Sequence, residues 1–388
     1  MNLSADALLI DFTAGGNSVP CCVAGWSTPE PDGTWTTGPV SRLTLPAPQR
    51  PGSYALVFRL RPMTAGDRLP AQRLLVRVND VPLAEFRITR RTTRACVVPW
   101  EVVQRAPELS ITLGLPDAAR PAEHGQGDDR RLLGVSLSSL HLHPDLFETW
   151  LDGAALADGQ AAPGDPAAAA AAARLPLHDL MLKFESLGQN CEFGLVQRRG
   201  GAEPLGLLRF SSTPLPRLLD ALDAGFDGMG AADAIQVDLD GSGREYMVHD
   251  TRYGFMYHAW VNAGEMSAAD VARREARRVP FLVRKLAEDL EAADKLFVFK
   301  GMGAVSAEEA FPLALAIRRY GPNTLLLATL ADAAHPPGTV QFHAPGFMIG
   351  YLDRFAPGEN AHDLSFDCWV QVCRAAHALR LSLQGAAP

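Results

Sequence analysis

The stretch KLFVFKGMGAVSAEEAFPLALAIRRYGPNTLLLATL, residues 295–330, decides the fold of the C-terminal half of the chain. Its two apolar runs, residues 296–300 and 324–330, are short, which is typical of buried strands. Between them, residues 306–320 have a helical pattern that ends at Gly321. A buried strand, a helix and a second buried strand in this order predict a βαβ unit with parallel strands.

The same alternation of strands and helices extends over residues 177–388, which we predict to form one α/β domain. The further predicted elements are a strand at 180–188, helices at 189–199 and 212–226, a hairpin of 244–250 with 254–260, and a long helix at 267–292. Pro280 lies inside the long helix and predicts a kink or a break there. The stretch that carries His335, His343 and His362 is predicted to be irregular.

Residues 1–150 have a different pattern, which predicts an all-β sandwich of the jelly-roll type. The strand candidates are residues 41–45, 53–62, 72–88, 108–115 and 132–143. Asn79 and Asp80 interrupt two runs of alternating hydrophobicity, so the third segment predicts a hairpin. Residues 151–176, rich in Ala, Gly and Pro, are predicted to be a linker or a loosely helical spacer between the two domains.

Composition and charge argue against several classes of function. The formal net charge of −8 and the pI near 5.7 give no general attraction to nucleic acid. The N-terminus lacks the pattern of a secretory signal, and no apolar run is long enough to span a bilayer, so we expect a cytoplasmic protein. The six cysteines have no paired spacing, which indicates neither a disulfide scaffold nor a zinc site. No metal or cofactor is predicted.

The segment SLGQNCEFGLVQRRGG, residues 186–201, places Cys191 in the first turn of a predicted helix, after a strand and a glycine turn. A helix N-terminus favours negative charge, so this position predicts a thiol with a lowered pKa and nucleophilic character. The amides of the same turn are candidates for an oxyanion hole, with the Asn190 side chain as a further donor. Gly188 and Gln189, in the turn before the cysteine, are candidate substrate-binding residues.

A catalytic thiol is usually paired with a histidine, and His249 and His258 are the best placed, because both lie on the predicted hairpin. His258 alternates with Met256 and Trp260 on one face of its strand. Either histidine is a candidate base, and the three histidines of the C-terminal stretch remain open.

The motif FESLGQNCEFGLVQRR, with the later segments RF, YHAW and LFVFKG, resembles a bacterial family of unknown function described as papain-like cysteine peptidases. The specific part of the resemblance is Ser-Leu-Gly-x-Asn-Cys at residues 186–191, within a match that covers about residues 180–330. The resemblance implies Cys191 as nucleophile and His258 as base. It also implies substrate-binding roles for Lys300 and Arg209.

The N-terminal stretch AGWSTPEPDGTWTTG, residues 24–38, is similar to a signature of β-sandwich modules that accompany bacterial glycan-synthesis proteins. The resemblance implies sugar stacking on Trp26 and Trp35, with Glu30 accepting hydrogen bonds from hydroxyl groups. The alternative is that the two tryptophans fill the core of the sandwich.

Three functions are compatible with these patterns. The first is a cysteine-dependent hydrolase or acyltransferase that acts on a glycan or glycoconjugate. The second is a non-catalytic glycan-binding protein of surface-polysaccharide assembly. The third is a glycosyl or phosphoryl transferase whose site is the strand end at Lys300, since ligands of open α/β sheets bind at the carboxyl ends of strands.

Overall fold

The computed structural model describes residues 7–144, 166–358 and 360–385. The chain divides into two compact units, Met1–Glu148 and Thr149–Pro388. Of the predicted linker, residues 151–165 lie outside the described residues, and Pro166–Arg174 form a helix. Within the described residues, no helix is long and apolar enough to cross a membrane.

The first unit is built almost entirely from antiparallel strands. They are β1 (Leu8–Asp11), β2 (Cys22–Ala24), β3 (Thr34–Thr37), β4 (Val40–Pro46), β5 (Tyr54–Pro62), β6 (Gln72–Val78), β7 (Val81–Ile88), β8 (Thr92–Val98), β9 (Glu108–Gly114) and β10 (Leu133–Pro144), with one short helix, α1 (Trp100–Val103), between β8 and β9. Two 3-10 turns, Val19–Cys21 and Pro121–His124, complete the unit.

These strands form two sheets of five strands each, so the predicted β-sandwich is confirmed. One sheet has the order β1-β10-β5-β8, with β3 also paired to β10, and the other has the order β2-β4-β9-β6-β7. The first strand lies beside the last, and β4 lies beside β9, so each sheet pairs strands that are far apart in the sequence. Alternate residues of the strands, such as Leu56, Phe58 and Leu60 on β5, fill the core between the sheets.

The hairpin predicted at Asn79 and Asp80 joins β6 to β7. Val78 pairs with Val81, so the loop has two residues, and both of them have a positive φ, +48° and +63°. Two-residue loops of this kind match the right-handed twist of the strands. The Asn79 side chain also donates to Val102 O and accepts from Ser110 N, which fixes the turn to the neighbouring segments.

The second unit alternates helices and strands. Its helices are α2 (Pro166–Arg174), α3 (Leu177–Met181), α4 (Glu192–Arg199), α5 (Leu215–Asp223), α6 (Ala268–Ala292), α7 (Ala307–Arg318) and α8 (Phe366–Gly385). Its strands are β11 (Phe184–Ser186), β12 (Ser211–Ser212), β13 (Ile235–Leu239), β14 (Glu245–Asp250), β15 (Phe255–Asn262), β16 (Leu296–Lys300), β17 (Thr324–Leu330), β18 (Val340–Ala344) and β19 (Phe347–Leu352).

The central sheet of this unit has the order β11-β16-β17-β19-β18, and every pair except β18–β19 is parallel. Both of its faces are covered, which explains why β16, β17 and β19 are mostly apolar on both faces. Leu296 and Val298 face the core that contains α4 and α8, whereas Phe297 and Phe299 face the core that contains α5, α6 and α7. The sheet is therefore a middle layer between two layers of helices.

A second, antiparallel sheet, β12-β15-β14-β13, packs into the same core as α6. It contains the predicted hairpin of β14 with β15, in which His249 pairs with Met256 and Met247 with His258. This sheet lies in the chain between α4 and α6, and thus between the first two strands of the parallel sheet.

Several predicted elements differ from the structure. The strand expected at 180–188 is limited to Phe184–Ser186, because the preceding residues form α3 and bury Leu180 and Met181. The helix expected from Gln189 begins at Glu192. The region expected to be irregular contains β18 and β19, and His343 lies on β18.

Of the kink or break predicted at Pro280, the break is wrong, since α6 continues without interruption from Ala268 to Ala292. A proline removes one helical hydrogen bond. Buried apolar residues lie on both sides of it, with Val279 directly before it and Leu282 two residues after it. Tertiary packing of this face therefore outweighs the local preference.

We expect replacement of Asp80 to change stability through backbone conformation alone. Asp80→Gly removes the Cβ at a positive φ and should raise the free energy of unfolding by about 0.5 kcal/mol, whereas Asp80→Val should lower it by about 1–2 kcal/mol. Urea denaturation of the two variants measures the difference. Equal stability of both variants would contradict a left-handed conformation at residue 80.

Candidate functional site

Two loops meet at the carboxyl edge of the parallel sheet. Ser186 on β11 pairs with Val298 on β16, so the loop after β11 and the loop after β16 emerge side by side. A Cβ atom on Gly301 would lie 3.3 Å from Gln189 Oε1, which shows how closely the two loops approach. In open parallel sheets this edge is where ligands bind.

The loop after β11 is shaped by Gly188. Its φ is +79°, and a Cβ there would lie 3.2 Å from Ser211 Oγ, so both conformation and space favour glycine. Gln189 also has a positive φ, of 20°. These two residues turn the chain from the strand into α4.

Cys191 is the N-cap residue of α4, one residue before the first helical turn. The hydrogen bond of the cap comes from its neighbour, because Glu192 N donates to Asn190 Oδ1 at 3.1 Å. Within the described part of the chain, the N–H groups of Gln189, Asn190 and Cys191 have no acceptor. Three donors and a half-buried thiol are thus gathered at one helix start.

Burial raises the pKa of the Cys191 thiol, whereas the sequence predicts a lowered pKa. Desolvation penalises the thiolate, and no positive group contributes to the shift. Among the described residues, nothing forms a hydrogen bond with Cys191 Sγ. The resting thiol is therefore protonated at neutral pH.

The structure gives His258 a carboxylate partner that the sequence did not reveal. His258 Nδ1 lies 3.0 Å from Glu245 Oε2, on the adjacent strand of the hairpin, and Glu245 Oε1 accepts from Trp260 N at 3.0 Å. A carboxylate that holds one ring nitrogen leaves the other, Nε2, available as a base. The signal was present in REYMVHD, but strand register was needed to recognise it. The side chain of His249 forms no hydrogen bond with another described residue.

The contacts of His258 and Trp260 connect β15 with the C-terminal end of α4. The ring of His258 is 5.8 Å from that of Trp260, and the Arg198 guanidinium lies 5.6 Å from the Trp260 ring. Arg198 is near the C-terminal end of α4, and eight helical residues span about 12 Å. These contacts do not bring the predicted histidine and Cys191 together.

Lys300 is buried and paired, although the sequence places it at a strand end open to ligands. Its Nζ lies 3.0 Å from Glu192 Oε2, and both side chains are 2–3% exposed. Glu192 Oε1 also accepts from Trp369 Nε1 at 2.9 Å, and Oε2 accepts from Ala356 N at 3.2 Å. The pair therefore joins the end of β16, the start of α4 and the first turn of α8.

Arg209 is also in the interior. It donates to Glu203 Oε2 at 2.5 Å, to Gly194 O at 3.1 Å and to Ala202 O at 3.0 Å. Burial lowers the pKa of its guanidinium, and the Glu203 carboxylate opposes that shift. The structure thus gives Arg209 a bridging position between α4 and the loop that follows it.

In the sandwich, the predicted sugar-binding side chains contact the protein itself. Trp26 Nε1 donates to Arg42 O at 2.8 Å, and its ring lies 5.2 Å from Phe12. The Arg61 guanidinium lies 5.0 Å from the centre of the Trp35 ring, and Glu30 accepts from Arg131 at 2.9 Å. Trp26 packs against the core, which favours the structural alternative for this residue.

Solved structures similar to this chain over its N-terminal region include carbohydrate-binding modules. A CBM36 domain of a multidomain xylanase from the hindgut metagenome of Trinervitermes trinervoides is 11% identical, with a TM-score of 0.22, over 35% of this chain and 95% of that chain. The C-terminal CBM6 of LamC from Zobellia galactanivorans is 12% identical, with a TM-score of 0.22, over 35% and 98%. A family 35 module from an environmental isolate is 18% identical, with a TM-score of 0.20, over 35% and 91%.

No family model and no curated protein matches the chain. The resemblance of residues 186–191 to a cysteine peptidase family therefore stays a prediction. In the part of the chain that the structure describes, no group of three His, Cys, Asp or Glu residues is arranged to hold a metal ion.

We expect Lys300→Met to lower the free energy of unfolding by about 3–5 kcal/mol, because it leaves the buried Glu192 carboxylate without its counter-charge. The matched control is Lys285→Met, which removes a more exposed pair with Asp289 and should cost about 1 kcal/mol or less. Chemical denaturation measures both. Equal losses would contradict the stabilising role of the buried pair.

We expect the alkylation of Cys191 by iodoacetamide to increase with pH, with a midpoint above the value of about 8.5 for a free cysteine. The reason is that burial disfavours the thiolate, so this form appears only in alkaline solution. Peptide mass spectrometry of timed reactions gives the rate at each pH. His258→Ala should leave the midpoint unchanged, and a midpoint near pH 7 would contradict the neutral resting thiol.

Proposed function

We propose that the C-terminal unit is an enzyme in which Cys191 is the nucleophile of a hydrolysis or acyl-transfer reaction. The observation that carries this proposal is the position of the thiol beside the three amide N–H groups that have no acceptor within the described residues. Such donors stabilise the negative charge that develops on a carbonyl oxygen when sulfur attacks its carbon. The carboxyl edge of the sheet supplies the location at which a substrate binds.

Because burial raises the pKa of the Cys191 thiol, the reaction has to include removal of the thiol proton. The sulfur–carbon bond forms as the thiol loses its proton, and the bond to the leaving group breaks as that group gains a proton. A base must therefore act once the substrate is bound. Of the two hairpin histidines, His258 is the better candidate, because Glu245 orients its ring and leaves Nε2 free. Its contacts lie at the far end of α4, so this role requires the hairpin to approach Cys191 when substrate binds.

The proposed substrate class is a glycan or glycoconjugate, and its support is the sequence signature of residues 24–38. The first unit is then the part that binds the glycan. A non-catalytic glycan-binding protein is the alternative, and it requires an unreactive Cys191. A transferase that binds phosphate through Lys300 is less well supported, since the ammonium group is buried against Glu192.

A general acyl donor tests the nucleophile without knowledge of the natural substrate. With p-nitrophenyl acetate, we expect acetylation at Cys191 about 100-fold faster than at Cys21, because amide donors accelerate acyl transfer at the helix start. Cys21 is the matched control: it is also half-buried, and burial raises its pKa as well. Peptide mass spectrometry locates the acetyl group.

The variant Cys191→Ala should abolish the fast phase of p-nitrophenolate release, and Cys21→Ala should leave it intact. Acetylation at equal rates on both cysteines would contradict a catalytic thiol. It would favour the non-catalytic alternative.

A further inference from the structure

A groove with a volume of about 910 Å³ lies along the first half of α6. The helix contributes six side chains to it at spacings of three and four residues, which places them on one face. They are Asp270, Arg273, Arg274, Arg277, Arg278 and Phe281. We call this feature the arginine groove.

Two of the four arginines are held in place by one buried carboxylate. Glu275 is fully buried, and it lies 2.7 Å from Arg274 Nη2 and 3.2 Å from Arg278 Nη1. Arg274 Nη2 also donates to Ala259 O at 2.7 Å, and Tyr257 donates to Glu275 at 3.2 Å. Two positive charges share one negative charge, so this part of the groove has an excess positive charge and restricted side chains.

The remaining charged groups do not cancel that excess. Arg273 pairs with Asp270. Glu265 accepts hydrogen bonds from the backbone and side-chain amides of Asn262 and keeps its negative charge, so the four arginines exceed the three carboxylates by one positive charge. Arg277 is exposed and, among the described residues, has no carboxylate partner. In a chain with a net charge of −8, this is a local concentration of arginine on one helical face.

Size and chemistry indicate the class of ligand. Sites for small molecules usually have volumes of about 300–1,000 Å³, with an apolar wall and a few convergent polar groups. Phe281, 47% exposed, and Met266 provide apolar surface at the groove. Guanidinium groups bind phosphate through paired hydrogen bonds, and a phosphate group carries about two negative charges at neutral pH.

We propose that the arginine groove binds a phosphate-bearing small molecule. Arg277 supplies the unshared positive charge, and Arg274 and Arg278 supply donors that Glu275 has already oriented. The site is separate in sequence from the helix start at Cys191, and it does not depend on the reaction proposed there.

Isothermal titration calorimetry of the full chain with inorganic pyrophosphate, at constant ionic strength, tests the site. We expect saturable binding that Arg277→Gln weakens about tenfold, since it removes one charged hydrogen-bonding group. The control is Arg284→Gln, which removes an exposed arginine of the same helix outside the groove and should leave the affinity unchanged. Arg277 is exposed, so circular dichroism should show an unchanged fold.

Three outcomes would overturn the proposal. The first is the absence of saturable binding, and the second is equal weakening by Arg277→Gln and Arg284→Gln, which would show only general charge attraction. The third concerns a membrane as the source of phosphate. Binding to phosphatidylglycerol vesicles that Arg277→Gln abolishes, without any binding of pyrophosphate, would assign the face to lipid.

Discussion

The buried ion pair of Glu192 with Lys300 holds together the parts of the second unit that form its candidate site. It connects the first residue of α4 with the last residue of β16, and the indole of Trp369 brings α8 to the same carboxylate. Two charges removed from water are stable only when they are paired and hydrogen-bonded, so this geometry is strongly constrained. The position of Cys191, one residue before Glu192, follows from that constraint. The same pair explains why Lys300 has no freedom to bind a ligand.

Much of the architecture could be predicted from the sequence because the pattern of apolar residues determines it. The alternation in residues 72–88 identified a hairpin, and the segmental rhythm of the first 150 residues identified the sandwich. The break predicted at Pro280 was wrong because the local preference of proline was considered without the packing of Val279 and Leu282. Strand β19 was missed because a strand that is buried at every position shows no alternation of polar and apolar residues, and the edge strand β18 was missed because it has only five residues.

The candidate site was less accessible to sequence reasoning. The helix start beside Cys191 was found within three residues. The direction in which the pKa of the Cys191 thiol shifts depends on how much solvent reaches the sulfur, which no local pattern encodes. Glu245 became visible as the partner of His258 only through strand register. The burial of Lys300 and Arg209 could not be predicted either. The sequence does not show whether a basic residue near the end of an element is exposed or is buried with a counter-charge.

The strand order of the sandwich also has a kinetic consequence. β10 is the last strand of that unit to be synthesised, and it pairs with β1, β3 and β5. Until residue 144 has left the ribosome, one edge of β5 and the strands β1 and β3 have no partner in their sheet. Contacts of such long sequence separation form slowly. The nascent unit therefore exposes open strand edges for most of its synthesis. Open edges favour aggregation, and pairing with β10 covers those of β1, β3 and β5.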